Sequence, residues 1–506
     1  MAIAKISYKK LNTAQRNLKS FDFNYFLNGL NSVVDESVQS VSNAKLFKNF
    51  SVKNYVLSTG LGIVPLQFFN TKINQSTTVQ QNFEGQALAL FVYQYFDSAE
   101  QSYNDVLFVY SSDKKLYYLQ YSSNSRNFVC FDLKTFESFP DYLYYIMPDE
   151  SEVAMFCSDT EKLTVVSSVS NCTTIENAPL ITSLCVHFDR IFAVTTSGKN
   201  RAWFSDELDP TNWNVSNSEA GYIAMNDSLG ECKKVLSFKN YVFVFREYGI
   251  TRITAYASQE SFSMQNVYIS SNFLFSNTAS ICGDVIYFLA SDGLYSFDGV
   301  NVNKINSGLE KIIEGCDESN AKAVYFQNSY YIILNTQLSE QTNHLKENNT
   351  LIRYDCNSYN YDILSDVKII DIAKITTSGL EKLAVVQLSN FNSSEDFETK
   401  LGQVEFCGGV FDNVTDKVWC SPKTDIGVSN YNKNVCAISL QTNAYCDVVI
   451  KTENGERKIN FSPCDKTQKK AVYITGTMIE VYIHSSSKDV KISHPIIYYK
   501  LGKSNV

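Results

Sequence analysis

One short string recurs four times and limits the folds open to this chain. It reads Phe188-Asp189-Arg190-Ile191-Phe192-Ala193-Val194, then Phe238-Lys239-Asn240-Tyr241-Val242-Phe243-Val244. It returns as Cys282-Gly283-Asp284-Val285-Ile286-Tyr287-Phe288 and as Phe326-Gln327-Asn328-Ser329-Tyr330-Tyr331-Ile332. Taking first residues, the steps are 50 (188 to 238), 44 (238 to 282) and 44 (282 to 326). Each copy is an apolar residue, a polar turn pair and a dense β-branched and aromatic run. In the first three a glycine follows at the next turn, Gly198, Gly249 and Gly293. One hairpin per repeat at this period predicts blades arranged radially, as in a β-propeller.

Composition supports a β-rich scaffold. Aromatic residues make up 13% of the 506 and charged residues 19%, which suits pleated, half-buried surfaces. Eight prolines and 21 glycines are too few for a disordered or collagen-like chain. The net charge is −9, and the basic clusters are pairs such as Lys9-Lys10, Lys114-Lys115, Lys233-Lys234 and Lys469-Lys470. Tight nucleic-acid binding needs a basic stripe and is disfavoured, whereas passing contact with DNA is compatible with this charge. The thirteen cysteines contain no C-x-x-C, and Cys130, Cys185 and Cys436 sit within strand-like runs. They read as reduced, largely buried thiols of a protein folded in a reducing cytoplasm. Met1 to Asn12 holds lysines but no apolar stretch, so no secretory signal is expected. No run approaches the ~18 apolar residues of a membrane helix.

The expected fold class is all-β: a propeller of about six or seven blades, a C-terminal β-sandwich-like module and a short N-terminal arm. The arm spans 1–70, the propeller 71–405 and the C-terminal module 406–506. Within the arm, the spacing of Val38, Val41, Ala44, Leu46 and Phe47 predicts a short helix capped by Asp35 or Ser37. Tyr55 to Leu61 reads as a strand and turn. Strands are expected at Ala87–Tyr95, Asp105–Tyr110, Leu116–Tyr121, Phe128–Leu133, Val153–Cys157 and Leu163–Ser168. Later ones are expected at Leu351–Tyr354, Val367–Ile375 and Leu383–Leu388. Thr336 to Asn349 reads as an exposed loop. Helical turns are expected at Leu309–Ile313 behind Ser307 and after Asn226-Asp227-Ser228. Beyond Cys407-Gly408-Gly409 seven or eight short strands follow, with Asn454-Gly455 as a hairpin turn.

Catalytic signals are absent from the local sequence. His187, His344, His484 and His494 form no close pair, and no nucleophile elbow, phosphate-binding loop or dinucleotide fingerprint occurs. Asp292-Gly293 partly resembles the Asp-box turn of sialidases but lacks the spacer and the closing Trp, and reads as a type I′ turn. Arg201 to Asn214, RAWFSDELDPTNWN, reads as a blade corner. Asp209-Pro210 makes the turn and Trp213 plugs it, and Asp206 with Asp209 fits no known cation loop. No catalytic, cofactor-binding or metal-binding residue is therefore assigned, and no cofactor is expected.

The same string resembles a pattern in β-propeller virion proteins of tailed bacteriophages, the tail nozzle or tail tubular proteins. Three further stretches are similar in the same order. They are Leu27-Asn28-Gly29-Leu30-Asn31-Ser32 through Asn43-Ala44, Asn49-Phe50 and Leu57-Ser58-Thr59-Gly60; Val235 to Ile253; and Trp419-Cys420-Ser421 with Thr424-Asp425-Ile426-Gly427, closing at Ile492-Ser493-His494-Pro495. The resemblance covers most of the chain at low stringency, without a tail-fibre attachment segment. It implies a non-enzymatic virion component folded in the host cytoplasm: a homo-oligomeric ring, sixfold in that family, beside portal, adaptor or other tail proteins. Genomic DNA would pass without specific binding, and no membrane span is implied. Two other readings stand beside it, a glycan-binding adsorption protein and a propeller-fold glycan hydrolase.

Overall fold

The computed structural model describes residues 18–23, 26, 43–70, 75–78, 83–97, 102–122, 127–196, 198–256, 258–305, 308–339, 345–377 and 380–504. The chain is all-β, 63% strand and 2% helix. It forms two compact units. The larger comprises 63–359 and 365–405, the smaller 1–62, 360–364 and 406–506.

The larger unit is a succession of antiparallel meanders. The first sheet holds Ala87–Asp97, Ser102–Ser111, Lys115–Ser122 and Asn127–Thr135, and the second Asp141–Ile146, Glu152–Cys157, Thr164–Ser168 and Asn171–Thr174. The third holds Ile181–His187, Arg190–Thr195, Arg201–Phe204 and Gly221–Ala224. The fourth holds Cys232–Phe238, Tyr241–Arg246, Gly249–Thr254 and Ser263–Ile269, and the fifth Leu274–Cys282, Val285–Ala290, Gly293–Phe297 and Val302–Ile305. A sixth begins with Lys322–Phe326, Ser329–Leu334 and Asn348–Asp355 and meets the long strand Tyr361–Thr377. The later part of that strand, from Ile369, pairs with Leu380–Phe391, which pairs in turn with Phe397–Glu405. The strand Gly62–Pro65 lies beside Phe397–Glu405, and Leu66 N–H donates to Leu401 O at 3.1 Å.

Burial explains the recurring string. Arg190–Thr195 and Ser329–Leu334 are buried at every residue, and Tyr241–Arg246 and Val285–Ala290 at all but the first. A strand with only one covered face alternates; these are covered on both, so their sequences run apolar without a break. Each hydrophobic cluster joins neighbouring sheets. Phe108 and Phe156 link first to second, Met155 and Ile191 second to third, Phe192 and Val244 third to fourth, and Phe245 and Phe288 fourth to fifth. A further cluster joins Leu90, Leu107 and Leu119 of the first sheet to Val386, Leu388 and Leu401 near the end of the unit.

The polar pairs are two-residue hairpin turns. Lys239-Asn240 has φ of 45° and 64° between the paired residues Phe238 and Tyr241. Gln327-Asn328 has 45° and 56° between Phe326 and Ser329. Positive φ at both positions matches the right-handed twist of the flanking strands. In the first copy the turn is Phe188-Asp189, between His187 and Arg190, one residue earlier than the string suggests. Asp292-Gly293 and Asn454-Gly455 are also shifted. The turns are Ser291-Asp292 and Glu453-Asn454, while Gly293 (φ 145°) and Gly455 (φ 131°) open the next strand.

Other expectations change too. Leu46–Lys48 is a strand, with Phe47 opposite Trp419, so tertiary pairing overrides the helical spacing there. Asp35, Ser37, Val38 and Val41 lie outside the described residues, as do Ser307, His344, Met1 to Asn12 and the run 27–32. A helical turn does form at Glu310–Ile313. After Asn226 there is no helix: Asp227 Oδ1 accepts the Leu229 N–H at 3.1 Å in a bend. The supposed exposed loop is anchored at both ends, since Thr336 and Asn349 are buried and Asn349 Oδ1 accepts the Thr336 N–H at 2.8 Å.

The smaller unit holds two antiparallel sheets. One orders Phe50–Lys53, Val56–Thr59, Lys491–Ser504, Tyr431–Thr442 and Cys464–Gly476, with Lys19–Asp22 paired to Lys491–Ser504. The other orders Leu46–Lys48, Lys417–Cys420, Glu480–Ser485, Cys446–Thr452 and Gly455–Phe461. Trp419 is buried with Phe26 edge-on at 4.9 Å between ring centres.

Candidate functional site: a shared cavity in the larger unit

From the third sheet to the sixth, the first strand is less apolar than the second. Cys232–Phe238, for example, carries Lys233 and Lys234. Those strands meet around one cavity of about 370 Å³. Phe91, Asp141, Ser183, Lys234, Asn277 and Lys322 come from the first strands of sheets one to six, and Asp371 from the strand after them. Lys322 Nζ lies 2.5 Å from Asp371 Oδ1, and Asp371 Oδ2 is buried without a hydrogen-bond partner. Lys234 Nζ donates to the carbonyls of Ala279 (2.8 Å) and Asn277 (3.2 Å).

Electrostatics here follow from crowding. Protein surrounds Lys234, and the lost hydration brings its pKa down to about 8; Asp141 opposes the shift and Lys322 adds to it. Asp141 lies on the concave wall, open to cavity solvent yet hemmed in by protein. Desolvation raises its pKa, against the Tyr142 and Leu184 backbone hydrogen bonds and the charges of Lys234 and Lys322. An adjoining cavity of about 340 Å³ shares Thr182, Thr196, Asn277 and Ser319. Along it run Lys199–Glu231 (2.9 Å), Lys233–Glu231 (2.8 Å) and Lys233–Glu247 (3.2 Å).

The residues weighed in the sequence lie elsewhere. Asp206 Oδ1 accepts the N–H groups of Glu207 (2.9 Å) and Glu219 (3.1 Å), and Oδ2 accepts Asn212 Nδ2 (2.9 Å). Asp209 Oδ1 accepts Thr211 N–H and Oγ1–H at 3.0 and 2.7 Å. Trp213, 2% exposed, donates Nε1–H to Pro210 O at 3.1 Å. Buried Arg190 ties the corner together through Ser205 O (3.1 Å), Glu219 O (3.1 Å) and Glu219 Oε2 (2.6 Å). Asp292 accepts Tyr295 Oη–H and Lys304 Nζ–H. His187 is buried, its Nδ1 2.9 Å from Ser237 Oγ, and burial lowers its pKa. His484 Nε2 lies 3.4 Å from Asp416 Oδ1. Among the described residues no group of three or more His, Cys, Asp or Glu is placed to hold a metal ion.

Sequence reading missed the shared cavity because its lining comes a few residues at a time from segments spread between Ala89 and Asp371. No family of proteins with a recognised sequence pattern matches the chain, and no curated protein is significantly similar to it. No described helix is long and apolar enough to cross a membrane.

Proposed function

We propose that the larger unit is a closed propeller of seven blades, that the smaller unit is a β-sandwich-like module, and that the chain is a structural subunit of a phage tail. It would sit as a ring at the nozzle or head–tail channel, around the DNA exit path. The observation that carries the closed architecture is one cavity lined by the first strands of all six sheets and by the later part of Tyr361–Thr377. The core shared by the first sheet and the last strands supports it. In this arrangement Tyr361–Thr377 ends the sixth blade and starts the seventh, and Gly62–Pro65 supplies the seventh blade's outer strand.

Size decides where DNA could run. A cavity of about 370 Å³ is the size of a small-ligand pocket. Duplex DNA has a major groove alone about 12 Å wide, so it cannot thread the blade axis. A conduit therefore requires several copies around a common opening, through heterologous contacts that close. The net charge of −9 suits a lumen that must release phosphates rather than hold them. The phage assignment itself rests on the sequence resemblance.

Gold-labelled antibody against the chain should mark the tails of purified particles, and light scattering of the protein should give the mass of a closed ring. Monomer alone under particle-like conditions, together with absence from particles, contradicts the proposal. A second reading, glycan binding during adsorption, is favoured by the exposed rings of Tyr256 (72%), Tyr359 (69%), Tyr445 (69%) and Tyr473 (71%). Such rings can stack on sugar faces. A glycan-array signal lost on changing these tyrosines to Ala would select it; a blank array removes it.

A further inference from the structure

Charge is divided unevenly between the two units. Of the 44 Lys and Arg residues 21 lie in the smaller unit, and of the 53 Asp and Glu residues 13 do. Its formal net charge is therefore +8, and that of the larger unit −17. On the larger unit, acidic side chains gather at the corner of the third sheet. Asp189, Glu207, Asp209 and Glu219 are exposed there. Buried Arg190 pairs with Glu207 and Glu219, and Asp189 and Asp209 have no cationic partner among the described residues. The same corner exposes apolar side chains. Leu208 N–H donates to Asp189 O at 2.9 Å, which sets Leu208 beside the Phe188-Asp189 turn, and the Tyr256 ring lies edge-on to Phe188 at 5.8 Å. Phe188, Leu208 and Tyr256 are 49%, 57% and 72% exposed. Phe188 (φ 50°) and Leu208 (φ 59°) also hold left-handed backbone, where a large side chain is uncommon. An apolar patch rimmed by polar groups is the anatomy of a protein–protein contact, and here the rim calls for a basic partner.

We propose that this corner docks, head to tail, on the smaller unit of a second copy of the chain. The smaller unit has the matching chemistry. Its two sheets end at the edge strands Gly455–Phe461 and Cys464–Gly476, which adjoin where Lys470 Nζ donates to Asn460 O. Arg457 is exposed on one edge, and Lys466 and Lys469 on the other. Glu456 pairs with Lys451 and Asp447 with Lys458, which leaves those three cations without a carboxylate partner among the described residues. Tyr473, exposed on the second edge strand, offers apolar surface to Phe188 and Leu208. Corner against corner would repel, as would edge against edge, whereas corner against edge attracts. The contact joins two different surfaces, so it is heterologous and can close into a ring. The inference rests on the self-association proposed above and not on the phage setting.

The test follows the mass of the full chain by sedimentation at about 0.1 M and about 1 M salt, between which the screening length falls from about 10 Å to about 3 Å. The assembly should shift towards monomer in the higher salt. One variant reverses the corner (Asp189→Lys with Glu207→Lys) and another the edge (Lys466→Glu with Lys469→Glu). Each alone should associate about tenfold more weakly or worse. An equimolar mixture of the two should recover, because every patch then meets its opposite. Leu208→Asn should weaken association without lowering the midpoint of thermal unfolding, since Asn tolerates the left-handed backbone. Monomer of the unaltered chain in the lower salt contradicts self-association and this contact with it. An assembly that the reversals leave intact, or a mixture that does not recover, overturns the contact alone; such charges would then serve only solubility and edge protection. If a reversed variant does not fold, a mass unchanged by salt and by Leu208→Asn overturns it equally.

Discussion

At the scale of single residues, Lys417 shows how this fold uses a charge where sequence suggests solvent. It is wholly buried, and its Nζ donates to Ser487 O (2.8 Å), Gly408 O (3.0 Å) and Thr415 O (3.0 Å). Three donors meet three acceptors, so the ammonium is satisfied although desolvated. Burial brings its pKa down to about 8, against the opposing charges of Asp416 and Cys407. Lys417→Met orphans three carbonyls and should cost about 2–3 kcal/mol in chemical denaturation. The pH dependence has a definite sign. A folded-state pKa below the unfolded one means that the unfolded chain holds more protons above about pH 8, so stability should rise from there towards pH 10. Lys417→Met should flatten that rise in part, Lys234 keeping its own share with a pKa of about 8. Above pH 10 the trend reverses, because burial raises Tyr110 to about 12 and only the unfolded tyrosine then ionises. Neither Lys417 nor the fully buried Arg246 was legible in the sequence, since residue type places such chains at the surface and only folding brings up their carbonyl partners.

At the scale of elements, the turns carry the period and can be tuned. Gln327 sits at φ 45°, which costs an L-residue roughly 1–2 kcal/mol in the left-handed region. Asn tolerates that region, so Gln327→Asn should stabilise by about 0.5 kcal/mol, whereas Gln327→Val should destabilise by about 1–2 kcal/mol. Thermal unfolding of the two variants checks both signs. The second strands were legible because burial on both faces writes itself as an unbroken apolar run. The strands Asp141–Ile146, Asn171–Thr174 and Phe397–Glu405 were not read, since each mixes polar and apolar residues with only part of its surface covered. Two glycine turns were misplaced by one residue: Gly293 and Gly455 start a strand at positive φ instead of sitting in the turn. The polar cavity lining could not be read locally, because Asp141, Lys234, Lys322 and Asp371 share no sequence neighbourhood.

At the scale of the whole larger unit, the proposed closure should make distant strands depend on one another. Leu388, 2% exposed, packs in the cluster that joins the last strands to Leu90 and Leu107 of the first sheet. Leu388→Ala should cost about 2–4 kcal/mol and lower amide-exchange protection in Ser102–Ser111, nearly 280 residues away in sequence. In an open array, that loss of protection would stay within the last strands. The most direct measurement is an electron-microscopy density map of the assembled full chain at a resolution that separates sheets. The account predicts seven blades around a narrow, side-chain-lined axis, with several copies enclosing a wider opening. A gap between the first sheet and the last strands, or a particle of single chains with no common opening, would contradict it.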